Sequence, residues 1–332
     1  MSFFAILFAL LLEQVRPLAR RNIVHSGLRQ WARWTSSNFD AGKPHHGWVC
    51  WALAVLAPAV LAWWVHLLLV TFLGWPFAMI WSVAVLYTTL GFRQFSHHFT
   101  AIRDALEAGD EAQAREHLAR WQQVEVSDLP RSELVRHVIE FSVLAAHRHV
   151  FGVLAWFSVL AALGFGPAGA VLYRMSEFVT RYWPHRSLHE TQPVSPALQW
   201  ASVRAWHMID WLPARLTAIA FAVVGSFEEA IDCWRHHAQR FPNDNDGVIL
   251  AATSGAVNVR LGGGALRAAF VSAPLPALSA APPPSGVLDD SESTPGREAE
   301  VGHLRSVVGL VWRSVVLWMV LLALLTTARL LG

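Results

Sequence analysis

The stretch WVCWALAVLAPAVLAWWVHLLLVTFL, Trp48–Leu73, contains no Asp, Glu, Lys or Arg. It exceeds the roughly 20 apolar residues that a helix needs to cross a bilayer. In lipid, only a helix or a closed barrel satisfies every backbone N–H and C=O. A second apolar run, Trp75–Phe92 (WPFAMIWSVAVLYTTLGF), follows at once, and Gly74-Trp75-Pro76 between them is a natural turn. The pair predicts a membrane hairpin, with Trp63, Trp64, Trp75 and Trp81 as interface or packing residues. His66 lies inside the first run, where a packed neutral imidazole and a proton carrier are both open readings. The expected fold class is all-α: a polytopic helical membrane protein with cytoplasmic helical loops.

Composition supports this. Charged residues make up 15% of the 332 and apolar residues 54%, against about 25% and 45–50% in soluble proteins. Seventeen Trp suit a chain whose partners include membrane lipids. A net charge of +2 gives no support to a nucleic-acid partner. Cys50 and Cys233 form no C-x-x-C pattern, so neither a disulfide nor a zinc site is expected. The opening MSFFAILFALLL has no basic residue before it, and EQVRPLARR follows it, which suits an uncleaved anchor. That run is short for a span, so it lies shallow or packs on other helices. Residues 13–47 read as a cytoplasmic loop, because Arg16, Arg20, Arg21, Arg29, Arg33 and Lys43 outnumber Glu13 and Asp40.

Residues 1–92 thus form an anchor and hairpin, and 93–149 a cytoplasmic helical region split into a helix pair by Gly109-Asp110. Ser127-Asp128-Leu129-Pro130 ends that pattern, and a fresh helix from Arg131 becomes apolar enough over Val150–Leu163 to enter the membrane. Residues 150–225 read as a membrane core. The Gly164–Gly169 loop makes its first part either one kinked crossing or a re-entrant return, and Arg174, Arg181, Arg186 and Arg204 favour the return. A polar region, 226–271, and a Pro- and Ser-rich linker, 272–302, precede a final membrane helix in 303–332 that starts near Val307, with Arg313 at its entry.

MIDWLPARLTAIAFAVVG, Met208–Gly225, places an acid, a helix breaker and a base at the entrance of an apolar run. Asp210 and Arg215 are five apart, about 140° around a helix, so they do not face one another. Pro213 predicts a break at Leu212 and a new helix, with Asp210 just outside it as a cap or ion-pair residue. Arg215 in a first turn is poorly placed for the helix dipole. It needs an anion: a phosphate, or a carboxylate in a structural salt bridge. In NDNDGVILAATSGAVNVRLGG, Gly262 and Gly263 beside Arg260 can cradle phosphate through free N–H groups. The plainer reading has Asp246 capping a helix through Val257 that Gly262-Gly263 ends. Glu228 and Glu229 fit a helix's first turn. His147 and His149 lie on different helix faces, a poor metal pair, and with Arg148 they suit a basic border cluster.

Three stretches resemble the CobD/CbiB family of membrane proteins, which make adenosylcobinamide phosphate in cobalamin biosynthesis. They are GPAGAVLYRMSE, the PARLTA signature at Pro213–Ala218, and Asn245-Asp246-Gly247 followed by Gly255-Ala256-Val257-Asn258-Val259-Arg260-Leu261-Gly262-Gly263. The resemblance implies a multi-pass inner-membrane protein. It implies a synthase that joins an aminoalkyl phosphate to a corrinoid acid by ATP-dependent amide formation, with ATP and Mg²⁺ as cofactors. Asp246 and Asp244 would then be catalytic, Asp246 would help hold Mg²⁺, and Arg215, Arg260, Gly262 and Gly263 would bind phosphate. The chain departs from the family where an AEN-T-V-D-G stretch is expected. Ala145-Ala146-His147-Arg148-His149-Val150 stands there, and Val248 and Leu250 replace a Trp and an acid. AHRHVF, VGSFEEAIDCW and FALLLEQVRPL are instead similar to AmpE, an inner-membrane protein tied to β-lactamase induction. A non-catalytic, AmpE-like sensor or regulator is therefore the second reading.

Overall fold

The computed structural model describes residues 2–15, 23–122, 130–189, 193–263 and 293–331. The expected break at residues 127–129 and most of the 272–302 linker lie outside them. Every regular element among the described residues is helical, with two isolated β-bridges, Val259 to Arg297 and Gly262 to Ser293. Among the described residues, four helices are long and apolar enough to cross a membrane: Pro44–Leu73, Arg131–Ala162, Pro196–Val224 and Val301–Ala328. The chain is a multi-pass membrane protein. It divides into two compact units, one of residues 1–91, 148–213 and 319–332, the other of residues 92–147 and 214–318.

In the first unit, α1 (Ser2–Val15) packs on α4 (Trp75–Thr89), so the short opening run leans on a neighbouring helix. The region read as a loop before the hairpin contains a helix, α2 (Ile23–Phe39). Helix α3 (Pro44–Leu68) continues as a π turn over Leu69–Leu73, and Gly74, at φ +92°, turns the chain into α4. Only one stripe of α3 is buried, including Gly47, Cys50, Trp51, Ala54 and Val55. Val49, Leu56, Val60, Leu61 and Trp64 are exposed. A helix apolar all round that buries one stripe leaves the rest for lipid. The α3 stripe packs on Met175, Val179 and Trp183 of α9 (Ala168–His189).

Helix α9 turns back alongside α8 (Gly152–Ala162), so the Gly164–Gly169 loop is a turn between two helices and not a kink within one. A Cβ on Gly169 would lie 2.0 Å from the Trp156 carbonyl oxygen, and one on Gly152 would lie 2.1 Å from the Tyr173 hydroxyl. Trp156 thus pairs with Gly169 and Gly152 with Tyr173, so the two helices run antiparallel. His66 packs against the turn, where a Cβ on Gly166 would lie 2.5 Å from its ring.

Pro213 does not start a helix. Helix α10 runs from Pro196 to Val224 with Pro213 inside it, so Asp210 is an interior residue and not a cap. A helical Pro leaves the carbonyl four residues earlier without its donor. Here that acceptor is Ile209, and the Trp156 indole N–H donates to it at 2.9 Å.

In the second unit, α5 (Phe92–Glu107) and α6 (Glu111–Gln122) form the expected pair about Gly109, at φ +79°. Asp110 accepts from the Gln113 amide at 2.9 Å, capping α6. Helix α7 (Arg131–Ala146) packs on α5 and on α12 (Asp244–Val257). It leads through a π turn at His147–Phe151 into α8. Helix α11 (Phe227–His237) lies against α12 with almost no side-chain gap. A Cβ on Gly255 would sit 2.2 Å from the Glu229 carbonyl oxygen, and one on Gly247 would sit 2.2 Å from that of Ala238. Helix α13 (Val301–Leu331) starts six residues earlier than its apolar run.

Candidate functional site

The second unit gathers several of the residues singled out in the sequence. Asn243 is the N-cap of α12, and its side-chain amide donates to Asp246 Oδ2 at 3.0 Å. Asp246 therefore sits at the third helical position and is not the cap, while acids in this first turn still complement the helix dipole. Asp246 is 4% exposed and Asn245 1%, whereas Asp244 faces solvent. Arg215 of α10, half-buried, donates from Nη1 to Asn245 Oδ1 at 3.3 Å. An amide carbonyl and a helix N-terminus thus stand beside the guanidinium. Asp244, Asn245 and Asp246 share the first turn of α12, but successive side chains point about 100° apart, and of the three only Asp244 faces solvent. Two residues past Arg215, Thr217 shares a 2.9 Å hydrogen bond with His147 Nδ1, and both are buried. His147 is thus a buried, bonded residue rather than a free border charge.

Asp210 is fully buried in the first unit and accepts from the Tyr173 hydroxyl at 2.8 Å. Glu177, also in that unit, forms ion pairs with Arg174 at 3.0 Å and Arg181 at 2.5 Å.

The glycine turn differs from its reading in sequence. Helix α12 ends at Val257, and Asn258, left-handed at φ +53°, terminates it in place of Gly262-Gly263. Asn tolerates that conformation better than other side chains. Three consecutive amides are then taken by the protein itself. Arg260 N–H donates to the Arg297 carbonyl at 2.7 Å, Leu261 N–H to Thr294 Oγ1 at 2.8 Å, and Gly262 N–H to Glu140 Oε1 at 2.7 Å. The expected phosphate cradle at Gly262 is therefore closed by a carboxylate. Gly263, at φ +111°, carries the Arg136 guanidinium where a Cβ would lie, 2.8 Å from Nη1. The Arg260 side chain is exposed.

Glu140, Arg136, His137 and Thr294 are buried polar residues that carried no weight in the sequence reading. An acid inside VRHVIEFSV is a visible signal for the first three. Thr294 sits in a stretch whose composition reads as linker, and nothing local marks it. It also accepts from Ser254 Oγ at 2.7 Å, so the 293–297 segment is fastened to the end of α12. Among the described residues, no three His, Cys, Asp or Glu side chains converge on a possible metal position.

The family model for CobD/Cbib protein matches residues 4–282. The chain belongs to the CobD/Cbib family. A "Cobalamin biosynthesis protein CobD" of Stutzerimonas stutzeri (strain A1501) is 30% identical over 281 residues, covering 85% of this chain and 82% of that protein. A protein with the same description from Chromobacterium violaceum is 34% identical over 186 residues, 55% of each chain, so this match spans about half of the relative's length. One from Mycobacterium tuberculosis (strain ATCC 25618 / H37Rv) is 42% identical over 69 residues, 19% of this chain and 22% of that protein. No solved structure matches. The family match takes in Arg215, Asn245, Asp246 and the glycine turn, and it ends within residues that the structure leaves undescribed.

Proposed function

We propose that this chain is an inner-membrane protein of cobalamin biosynthesis that joins an aminoalkyl phosphate to a corrinoid acid by ATP-dependent amide formation. The observation that carries this reading is the placement of Arg215 against Asn245, beside Asp246, at the N-terminus of α12. A guanidinium and a helix N-terminus together favour a phosphate group.

Amide formation from a carboxylate needs activation. The carboxylate oxygen attacks the terminal phosphorus of ATP, ADP leaves, and an acyl phosphate forms. The amine then attacks the acyl carbon, phosphate departs, and the ammonium protons pass to solvent or a base. Arg215 and Arg260 hold phosphate oxygens and stabilise the charge that builds on them. Mg²⁺ would neutralise that charge, and with the nucleotide's phosphates beside it would need only one or two protein carboxylates. Asp246 and Asp244 lie about 200° apart around α12, so either one, and not the two together, would supply that carboxylate; among the described residues no protein-only metal cage stands. Asn243 fixes the orientation of Asp246.

A non-catalytic, AmpE-like role is the second reading. It is favoured by His147, which stands where the synthases carry acids and is committed to Thr217. Complementation separates the two. Expression in a strain lacking its CobD/CbiB-type synthase restores corrinoid-dependent growth under the enzyme reading. No growth, with the protein inserted in the membrane, leaves the regulator.

A further inference from the structure

We infer that Glu140 is a positioning residue that latches the Gly262-Gly263 turn to α7 and so fixes the backbone from which Arg260 projects. The turn therefore holds an arginine in place and does not itself cradle phosphate. For its functional arm the inference rests on the phosphate role proposed for Arg260, while the latch itself does not.

Glu140 is 1% exposed and lies 122 residues from Gly262, whose amide it engages at 2.7 Å. Its other oxygen, Oε2, has no hydrogen bond and lies 4.0 Å from His137 Nδ1. One oxygen alone is thus committed to the turn. Arg136, on the same face of α7 and paired with Glu133, fills the space over Gly263 that any side chain there would need. From the other side Thr294 and Arg297 occupy the amides of Leu261 and Arg260. No N–H of residues 260–262 is left for a ligand, and the Arg260 side chain is exposed. A charged side chain on a backbone fixed from two sides is pre-organised, which a charge on a mobile loop is not.

The test compares wild type, Glu140→Gln, Glu140→Leu and Arg260→Gln in the full-length, reconstituted protein. Amide hydrogen exchange is followed over residues 258–263, and binding of ATP with Mg²⁺ is titrated. Gln keeps an acceptor, so exchange and affinity should stay within about twofold of wild type. Leu removes the side-chain acceptor of the Gly262 amide, so exchange should quicken by about tenfold or more. ATP affinity should then fall to that of Arg260→Gln, and the double variant should fall no further. If Glu140→Leu does not fold, Glu140→Asp withdraws the carboxylate by one methylene and should quicken the same exchange. The latch is overturned if exchange is unchanged in Leu and Asp, or if ATP affinity rises when the carboxylate is removed. If wild type binds no ATP, the proposed function fails, and the exchange measurement still decides the latch.

Discussion

The indole N–H of Trp156 donates at 2.9 Å to the carbonyl oxygen of Ile209, the acceptor that Pro213 leaves without a helical donor. The arrangement occurs twice among the described residues of the first unit. Pro58 lies inside α3, and the Trp31 indole donates at 3.2 Å to Ala54, four residues earlier. In each case a Trp on another helix supplies the bond that the proline ring removes. In lipid, where water cannot supply it, such a helix would otherwise carry an unsatisfied carbonyl.

A double-mutant cycle tests this pairing. Trp156→Phe keeps an aromatic ring but removes the donor, at a cost of about 1–3 kcal/mol for a buried acceptor left unpaired. Pro213→Ala restores the backbone donor, so Trp156→Phe should cost clearly less in that background. Reversible unfolding in detergent gives the four stabilities. Equal losses in both backgrounds would show that the indole acts by packing alone.

The ion triad on α9 sets an acid limit. This helix lies outside the four candidate spans. Burial opposes ionisation of Glu177, but Arg181 and Arg174 overcome it and bring the carboxyl down to about 2. A carboxyl lowered from 4.5 contributes stability that is complete above pH 4.5 and lost as pH falls toward 2. Glu177→Gln should remove that slope between those values. It should also cost about 2 kcal/mol at neutral pH, less than the ~3–5 kcal/mol for a fully buried pair because Arg181 is largely exposed. Stability against pH for both proteins in detergent is the measurement, and identical slopes would contradict it.

Glycines in α12 and α13 should respond in opposite ways to alanine. At Gly255 a Cβ would lie 2.2 Å from the Glu229 carbonyl oxygen, backbone that cannot swing aside. Gly255→Ala should therefore cost about 1–3 kcal/mol through forced separation of α11 and α12. Gly309 has nothing within 4 Å of its would-be Cβ, and Gly309→Ala should stabilise α13 by up to about 1 kcal/mol. Thermal unfolding of both variants decides, and a destabilised Gly309→Ala or an indifferent Gly255→Ala would refute the packing argument.

Elements set by local chemistry were legible in the sequence. Gly74 between two apolar runs, Gly109-Asp110 between two amphipathic ones and the all-α class needed only turn chemistry and apolar length. Pro213 misled because its remedy, Trp156, acts from another helix, and the break that local rules demand never forms. The site was half legible for the same reason. Arg215 and Asn245 are marked by motifs, and their proximity depends on α10 meeting α12. Glu140 and Thr294 act on residues 261 and 262 across separations that no periodicity reveals.

The central claim is that Arg215, set against Asn245 and Asp246, holds phosphate during amide formation. The direct measurement is ADP release by the purified, lipid-reconstituted protein supplied with ATP, Mg²⁺, a corrinoid acid and an aminoalkyl phosphate. Wild type should release ADP continuously only when the corrinoid acid and the aminoalkyl phosphate are both present, the acid alone supporting a single burst of acyl phosphate and ADP. Arg215→Gln should reduce that rate by about tenfold or more, the scale of a lost charge-assisted contact to a transferring phosphate, and Arg215→Lys should recover part of it. Folded wild type with no acceptor-dependent ADP release, or Arg215→Gln turning over as fast as wild type, would contradict the account.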